Sequence, residues 1–341
     1  MDIISDILNI FKDSIIPSLR YIIYTYQYLL LIIFIILFIL TLFIVLFFTI
    51  ILPYICYVRT FKKEKDNQDA IDLPDQQIYN LYKDLIIKDI LDVRKLSYEE
   101  LIIKSFDGLN LYARYYEYEK DSPIEIMFHG YRGSAERDLS TGVKRAFACG
   151  RSVVLVDQRA SGKSEGKTIS FGINERIDAR DWAYYVSNKF GKSRKIILTG
   201  ISMGAATVLM ASSLNLPENV IGVLADCPYN KPRDIILKVV KDMKLPPKLV
   251  FPFIKLGAKI YGKFDIDSAS PIESVKHTTL PIIFYHGSSD DYVPCFMSEK
   301  LFSECISEKK LVTIEGGMHG TSYLKDPEKY LFELENFFKD K

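Results

Sequence analysis

KIILTGISMGAATVLMASS, residues 195–213, joins two patterns through one sharp turn. Lys195–Thr199 is a short apolar run rich in isoleucine, which reads as a buried strand. Met203–Ser213 carries small and apolar residues at helical spacing. Between them stands Gly200-Ile201-Ser202-Met203-Gly204. A G-x-S-x-G sequence at a strand-to-helix turn is a nucleophile elbow. The turn is so tight that side chains beside Ser202 would clash, and glycines occupy those positions. Ser202 is thereby pushed out at the helix N-terminus, where the helix dipole favours negative charge. The competing reading is a serine that merely caps the helix.

Strand and helix patterns alternate on both sides of this turn. Glu100–Ser105 and Leu109–Tyr118 read as a hairpin around Asp107-Gly108. Strands are expected at Ile124–Phe128, Ser152–Val156, Val220–Ala225, Pro281–Tyr285 and Lys310–Ile314. Helices are expected at Ile78–Leu96, Glu175–Asn188 and Asp326–Lys341. Such alternation implies an α/β fold with a mainly parallel twisted sheet covered on both faces. Functional groups then collect in loops at the carboxyl ends of the strands.

A serine hydroxyl is a weak nucleophile without a base. The chain has four histidines. His129 ends an early strand, His277 precedes one, and His286 comes before the candidate acids of its own loop. His319, after the last strand in Gly316-Gly317-Met318-His319-Gly320, is left as the base, because after such an elbow the acid and then the histidine follow in the chain. Its competing reading is a surface-loop histidine. The acid is Asp290, in Gly287-Ser288-Ser289-Asp290-Asp291, with Asp291 and Asp226 as alternatives. Asp291 has a competing role as cap of the helix after Pro294. Oxyanion donors are expected from the backbone N–H of Met203 and of Tyr131, the latter in the loop His129-Gly130-Tyr131-Arg132-Gly133. His129 and Gly130 are read as shaping that loop. Arg132 is read as facing solvent, with a substrate carboxylate as the alternative.

A different pattern occupies the N-terminal part. The chain has 341 residues, 44 Lys and Arg against 43 Asp and Glu, and a net charge of +1. No Asp, Glu, Lys or Arg occurs from Tyr21 to Val58. Leu29 to Leu52 is the most apolar part, long enough to cross a hydrocarbon core of ~30 Å. Tyrosines flank it: Tyr21, Tyr24, Tyr26 and Tyr28 before, Tyr54 and Tyr57 after. One transmembrane helix over 21–58 is expected. A cleaved signal peptide fits poorly, because the run is too long and starts too late. Arg59, Lys62, Lys63 and Lys65 follow it, which places the C-terminal side in the cytoplasm of a single-pass cell-membrane protein. Residues 1–20, with Ile4, Ile7, Leu8 and Phe11 at helical spacing, read as an interfacial helix or a tail. Residues 59–97 read as a juxtamembrane linker and helix.

The balanced charge lacks the electrostatic footprint of a nucleic-acid binder. The five cysteines show no metal-ligand or redox spacing and read as scattered buried thiols. No cofactor or metal is expected.

From about residue 98 to 341 the chain resembles the α/β-hydrolases. The matching pieces, in order, are His129-Gly130-Tyr131, Asp157-Gln158-Arg159 with Gly162-Lys163-Ser164-Glu165-Gly166, the Ser202 elbow, His286-Gly287-Ser288-Ser289-Asp290, and Gly317-Met318-His319. In detail it resembles bacterial hydrolases with one N-terminal span, of the serine aminopeptidase-like S33 or S9-like group. The resemblance implies an α/β-hydrolase fold, with Ser202, Asp290 and His319 as triad and Tyr131 and Met203 as oxyanion-hole residues. It implies a structural role for Asp157 and Arg159. It also makes the long stretch from about 230 to 280 a small helical cap. That cap reads either as an acyl-binding lid or as ordinary packing onto the sheet. The expected activity is that of a membrane-anchored serine hydrolase acting on a small, lipophilic acyl substrate. Carboxylic ester cleavage comes first, with thioester or peptide cleavage as runner-up. The contrasting class is a non-catalytic binding protein of this fold, whose mark would be loss of a triad residue.

Overall fold

The computed structural model describes residues 2–63, 71, 73 and 77–341. Most of the expected linker after Lys63, including Lys65, lies outside the described residues. By packing, the chain divides into two compact units, 1–55 and 56–341.

Helix α1 runs Asp2–Thr60 and is long and apolar enough to cross a membrane. It contains single π-type turns at Phe11–Ile15 and Phe47–Ile51. Of the expected tail or interfacial helix over 1–20, residues 2–20 are the first part of this helix. Its tyrosines and isoleucines up to residue 55 point outward rather than into a core.

The second unit holds one eight-stranded sheet in the order β1-β2-β4-β3-β5-β6-β7-β8. The strands are β1 Glu99–Lys104, β2 Asn110–Tyr116, β3 Ile124–Phe128, β4 Ser152–Val156, β5 Ile196–Ile201, β6 Val220–Asp226, β7 Ile282–Gly287 and β8 Lys309–Ile314. The β1–β2 and β2–β4 pairs are antiparallel, and all later pairs are parallel. Edge strand β1 alternates exposed and buried residues, whereas every residue of β3 and β4 is buried. That contrast is what a half-covered edge and a doubly covered centre require.

The longer helices after α1 are α2 Gln77–Arg94, α3 Ala135–Ala148, α4 Glu175–Phe190, α5 Met203–Ala211, α6 Pro232–Asp242, α7 Pro247–Gly257, α8 Phe296–Glu304 and α9 Pro327–Phe338. Their starts follow local chemistry. Ser134 accepts the Arg137 N–H at the head of α3, where Glu136 and Asp138 suit the helix dipole. Asp326 accepts the Lys329 N–H at the head of α9, with Pro327 in the first turn.

Helix α2 packs on α3, burying Ile90 and Val93 and pairing Asp89 and Asp92 with Lys144. The compact unit thus begins well before residue 98, because α2 covers apolar surface of α3. Helices α6 and α7 occupy the expected cap stretch and pack in an apolar cluster with Phe171, Met203, Tyr229 and Val293.

Candidate active site

The elbow sets the geometry. Ser202 stands between β5 and α5 with φ +56° and ψ −115°, a strained backbone for a non-glycine residue. Its N–H donates to the Asp226 carbonyl at 2.8 Å. A Cβ on Gly200 would lie 2.2 Å from the Gly204 carbonyl, and one on Gly204 would lie 2.0 Å from the Phe128 oxygen. Both glycines are therefore required by close backbone approach, and the alternative of a simple capping serine fails: Ser202 makes no side-chain cap bond.

Three side chains meet at the strand ends. Ser202 Oγ lies 2.9 Å from His319 Nε2, and His319 Nδ1 lies 2.7 Å from Asp290 Oδ2. A carboxylate only accepts, so Nδ1 carries the proton and Nε2 accepts from the serine hydroxyl. The other Asp290 oxygen accepts the N–H groups of Tyr292 at 3.0 Å and Val293 at 2.8 Å. Burial pushes the Asp290 carboxyl upward, but hydrogen bonds from His286 and His319 outweigh it and hold the group far below the usual carboxylate range.

The other aspartates are occupied differently. Asp226 is buried and accepts from Ser322 Oγ at 2.8 Å and Tyr330 Oη at 3.2 Å. Burial raises its carboxyl despite these donors. Asp291 is exposed. It does not cap the next helix, whose cap position is Cys295.

Loop Gly130–Gly133 faces the serine. A Cβ on Gly130 would lie 3.6 Å from Ser202 Cβ, and the Gly130 N–H donates to Asp138 Oδ2 at 3.0 Å. His129 is buried: its Nδ1–H donates to the Gly130 carbonyl at 2.9 Å, and its Nε2 accepts the Gln158 N–H at 3.2 Å. Burial keeps this imidazole below its ordinary value, and so neutral. It shapes the loop. Arg132 does not point to bulk solvent. Its Nη2 donates to the Arg59 carbonyl at 2.7 Å.

A cavity of about 380 Å³ opens at Ser202 and His319. Tyr131, Arg132 and Tyr292 line it, as do the apolar Met127, Leu139 and Leu224. Cys227 backs onto the triad, so its sulfur, Asp290 and His319 come within reach of a common point. Burial drives the Cys227 thiol well above its ordinary value, which makes it a poor metal ligand, and the other two are bonded to each other.

Residues 126–250 match the family model described as alpha/beta hydrolase fold. The Bacillus subtilis protein YqkD is 28% identical over 55% of this chain and 62% of its own length. This chain thus spans less than two thirds of that relative. A membrane protein of Saccharomyces cerevisiae is 24% identical over 70% of this chain and 79% of its own. An esterase of Pyrococcus furiosus superposes with a TM-score of 0.60 at 20% identity, over 74% of this chain and 92% of that one. The chain has the α/β-hydrolase fold.

In this α/β-hydrolase fold the five residues expected from the sequence lie at the ends of β5, β7 and β8, with β6 between the first two, and in the loop after β3. Ser202 and Met203 follow β5, Asp290 follows β7, His319 follows β8 and Tyr131 follows β3. Asp157 and Arg159 are structural. Asp157 Oδ2 accepts the Lys163 N–H at 2.9 Å, and Arg159 binds Asp178 through Nε and Nη2 at 2.6 and 2.7 Å.

Two residues beside Ser202, Asp290 and His319 had no role in the sequence reading. Asp138 pins the Gly130–Gly133 loop, and nothing short of the fold places it there. His286 is fully buried. Its Nε2–H donates to the Val293 carbonyl at 2.7 Å and lies 3.2 Å from Asp290 Oδ2, while Nδ1 accepts from Ser298 Oγ at 2.6 Å. A histidine ending a strand four residues before the acid was the available signal.

Proposed function

We propose that this protein is a serine hydrolase that cleaves carboxylic esters through an acyl-enzyme. The single observation that carries the reading is the unbroken relay from Asp290 through His319 to the strained Ser202, which lines a cavity. Ser202 Oγ attacks the carbonyl carbon while His319 Nε2 takes its proton. Asp290 fixes the imidazole tautomer and stabilises the imidazolium that forms. The N–H groups of Met203 and Tyr131 receive the developing oxyanion. Collapse expels the alcohol, protonated by His319. Water activated by the same histidine then releases the acid.

The esterase that superposes on this chain supports esters over peptides as substrates. The lining of the cavity supports a small acyl group. It mixes apolar side chains such as Met127, Leu139 and Leu224 with charged ones such as Arg132, Arg137 and Asp138, and its volume lies near the low end for ligand sites. Thioester and peptide cleavage use the same machinery and form the second reading.

The apolar helix α1 anchors the enzyme in a membrane with the hydrolase unit in the cytoplasm. Its length and hydropathy, the basic residues after it and the yeast relative described as a membrane protein support this. Protease treatment of intact cells tests the orientation: digestion of the hydrolase unit without lysis overturns it.

Activity is tested with the purified full chain on p-nitrophenyl esters of graded chain length, with aminoacyl amides alongside. Ester turnover that Ser202→Ala abolishes is expected. Turnover of amides alone moves the assignment to the second reading. No turnover of either class by folded protein overturns both.

A further inference from the structure

The segment that follows the apolar run is bound to the loop that carries Tyr131. Tyr131 Oη donates to the Thr60 carbonyl at 2.7 Å. Arg132 Nη2 donates to the carbonyls of Arg59 at 2.7 Å and Lys62 at 3.5 Å. Lys63 Nζ donates to Ser161 Oγ at 2.8 Å, and that hydroxyl donates to the Gly133 carbonyl at 2.8 Å. Three successive loop residues are thus tied to one short stretch of chain.

That stretch is itself fixed to the hydrolase unit. Lys62 forms an antiparallel bridge with Thr168, flanked by bonds from Lys63 N to Lys167 O at 3.1 Å and from Ile169 N to Phe61 O at 2.8 Å. Tyr57 Oη lies 2.7 Å from Thr168 Oγ1. Phe61 is wholly buried and packs edge-on against Phe264 and Phe171, with centroids 5.2 and 5.8 Å away. Phe171 in turn stands 4.9 Å from the Tyr131 ring. The same apolar cluster contains Met203.

The loop needs such support. Arg132 has φ +52°, a conformation that a non-glycine residue keeps only where its surroundings enforce it. Bonds from its own guanidinium to the 59–62 carbonyls are part of that enforcement.

We propose that residues 57–63 are a positioning element of the oxyanion hole, with Phe61 and the Arg59 and Thr60 carbonyls setting the direction of the Tyr131 N–H. This rests on the reading of Tyr131 as an oxyanion donor. The chain leaving the apolar helix is then part of the catalytic unit rather than a spacer, and catalytic competence depends on its docking.

The test uses the full chain in detergent, with Tyr131→Phe, Phe61→Ala and Phe61→Leu. Tyr131→Phe removes one oxygen and keeps the ring. A shift of the donor by a fraction of an ångström costs transition-state stabilisation and leaves substrate binding alone. The expected result is a fall in kcat of about tenfold for Tyr131→Phe and Phe61→Ala, with KM within twofold and partial recovery in Phe61→Leu. Inhibition by a trifluoromethyl ketone, whose adduct with Ser202 places an alkoxide in the hole, weakens by the same factor as kcat/KM. Wild-type kcat and ketone affinity in both Tyr131→Phe and Phe61→Ala overturn the proposal, and so does a loss confined to KM. If Phe61→Ala does not fold, Tyr131→Phe alone decides. Failure of the serine-hydrolase reading is separate: wild-type protein would then take no fluorophosphonate on Ser202, whereas labelled wild type with unaffected variants sinks only this inference.

Discussion

Replacing Asp290 by asparagine changes one oxygen into an amide nitrogen and alters little volume. In the structure one oxygen of Asp290 accepts the Tyr292 and Val293 N–H groups, and the other accepts His319 Nδ1–H. The asparagine oxygen can keep the two backbone donors. Its NH₂ group then faces His319 Nδ1, so that nitrogen must accept, and the ring proton moves to Nε2. In that tautomer Nε2 cannot take the proton of Ser202 Oγ, 2.9 Å away. A wrong-tautomer histidine costs about 10⁴-fold in kcat in serine hydrolases, or ~5 kcal/mol of transition-state stabilisation. The same substitution leaves KM nearly unchanged, because nothing that touches bound ester has moved. The assay is initial rates on a p-nitrophenyl ester from pH 6 to 9 with active-site titration. Acid stability should shift in parallel. The Asp290 carboxyl is held below its unfolded value of about 3.9, so its stabilisation is complete above that pH and is lost as pH falls through its folded value. Asp290→Asn therefore flattens the acid limb of the melting curve. Turnover within tenfold of wild type would refute the assignment and return the role to Asp226 or Asp291.

Three further outcomes follow from the same geometry. Gly204→Ala should lower stability by ~1–3 kcal/mol or more in urea melts, because its Cβ would sit 2.0 Å from the Phe128 oxygen. Glu125→Gln should cost about 3–5 kcal/mol, since Glu125 is fully buried and binds Arg145, Arg151 and Thr199. Burial would raise the Glu125 carboxyl, but the two arginines outweigh it and hold it at about 2. Its stabilisation is complete above the unfolded value of about 4.3 and is lost as pH falls from there toward the folded value. The penalty of Glu125→Gln, read from melts, should therefore shrink over that window.

The strands of the parallel sheet were legible because central strands are continuous apolar runs bounded by glycine, histidine or aspartate. Ile124–Phe128 and Ser152–Val156 have the same limits in the sequence and in the structure. The Ser202 elbow was legible because both glycines show in residue type, although only Gly200 answers to a nearby contact, with Gly204, whereas Gly204 answers to the distant Phe128 backbone. What could not be read depends on contacts between distant segments. The place of α2 on α3 rests on Asp89 and Asp92 meeting Lys144, some fifty residues away in the chain. Arg132 looked like a solvent-facing charge because its partners are main-chain carbonyls, which leave no trace in residue type. His286 could be excluded as the base by its place in the chain, but its bond to Ser298 needs the turn of α8 onto β7.

The central claim is that Ser202 is a nucleophile activated by His319 and Asp290. It is tested most directly by mapping a fluorophosphonate adduct on the folded full-length chain by peptide mass spectrometry. One phosphonyl group per chain on the peptide containing Ser202 is predicted, with labelling at least a thousandfold slower in His319→Gln. Folded wild-type protein that stays unlabelled, or an adduct on any other residue, would contradict it.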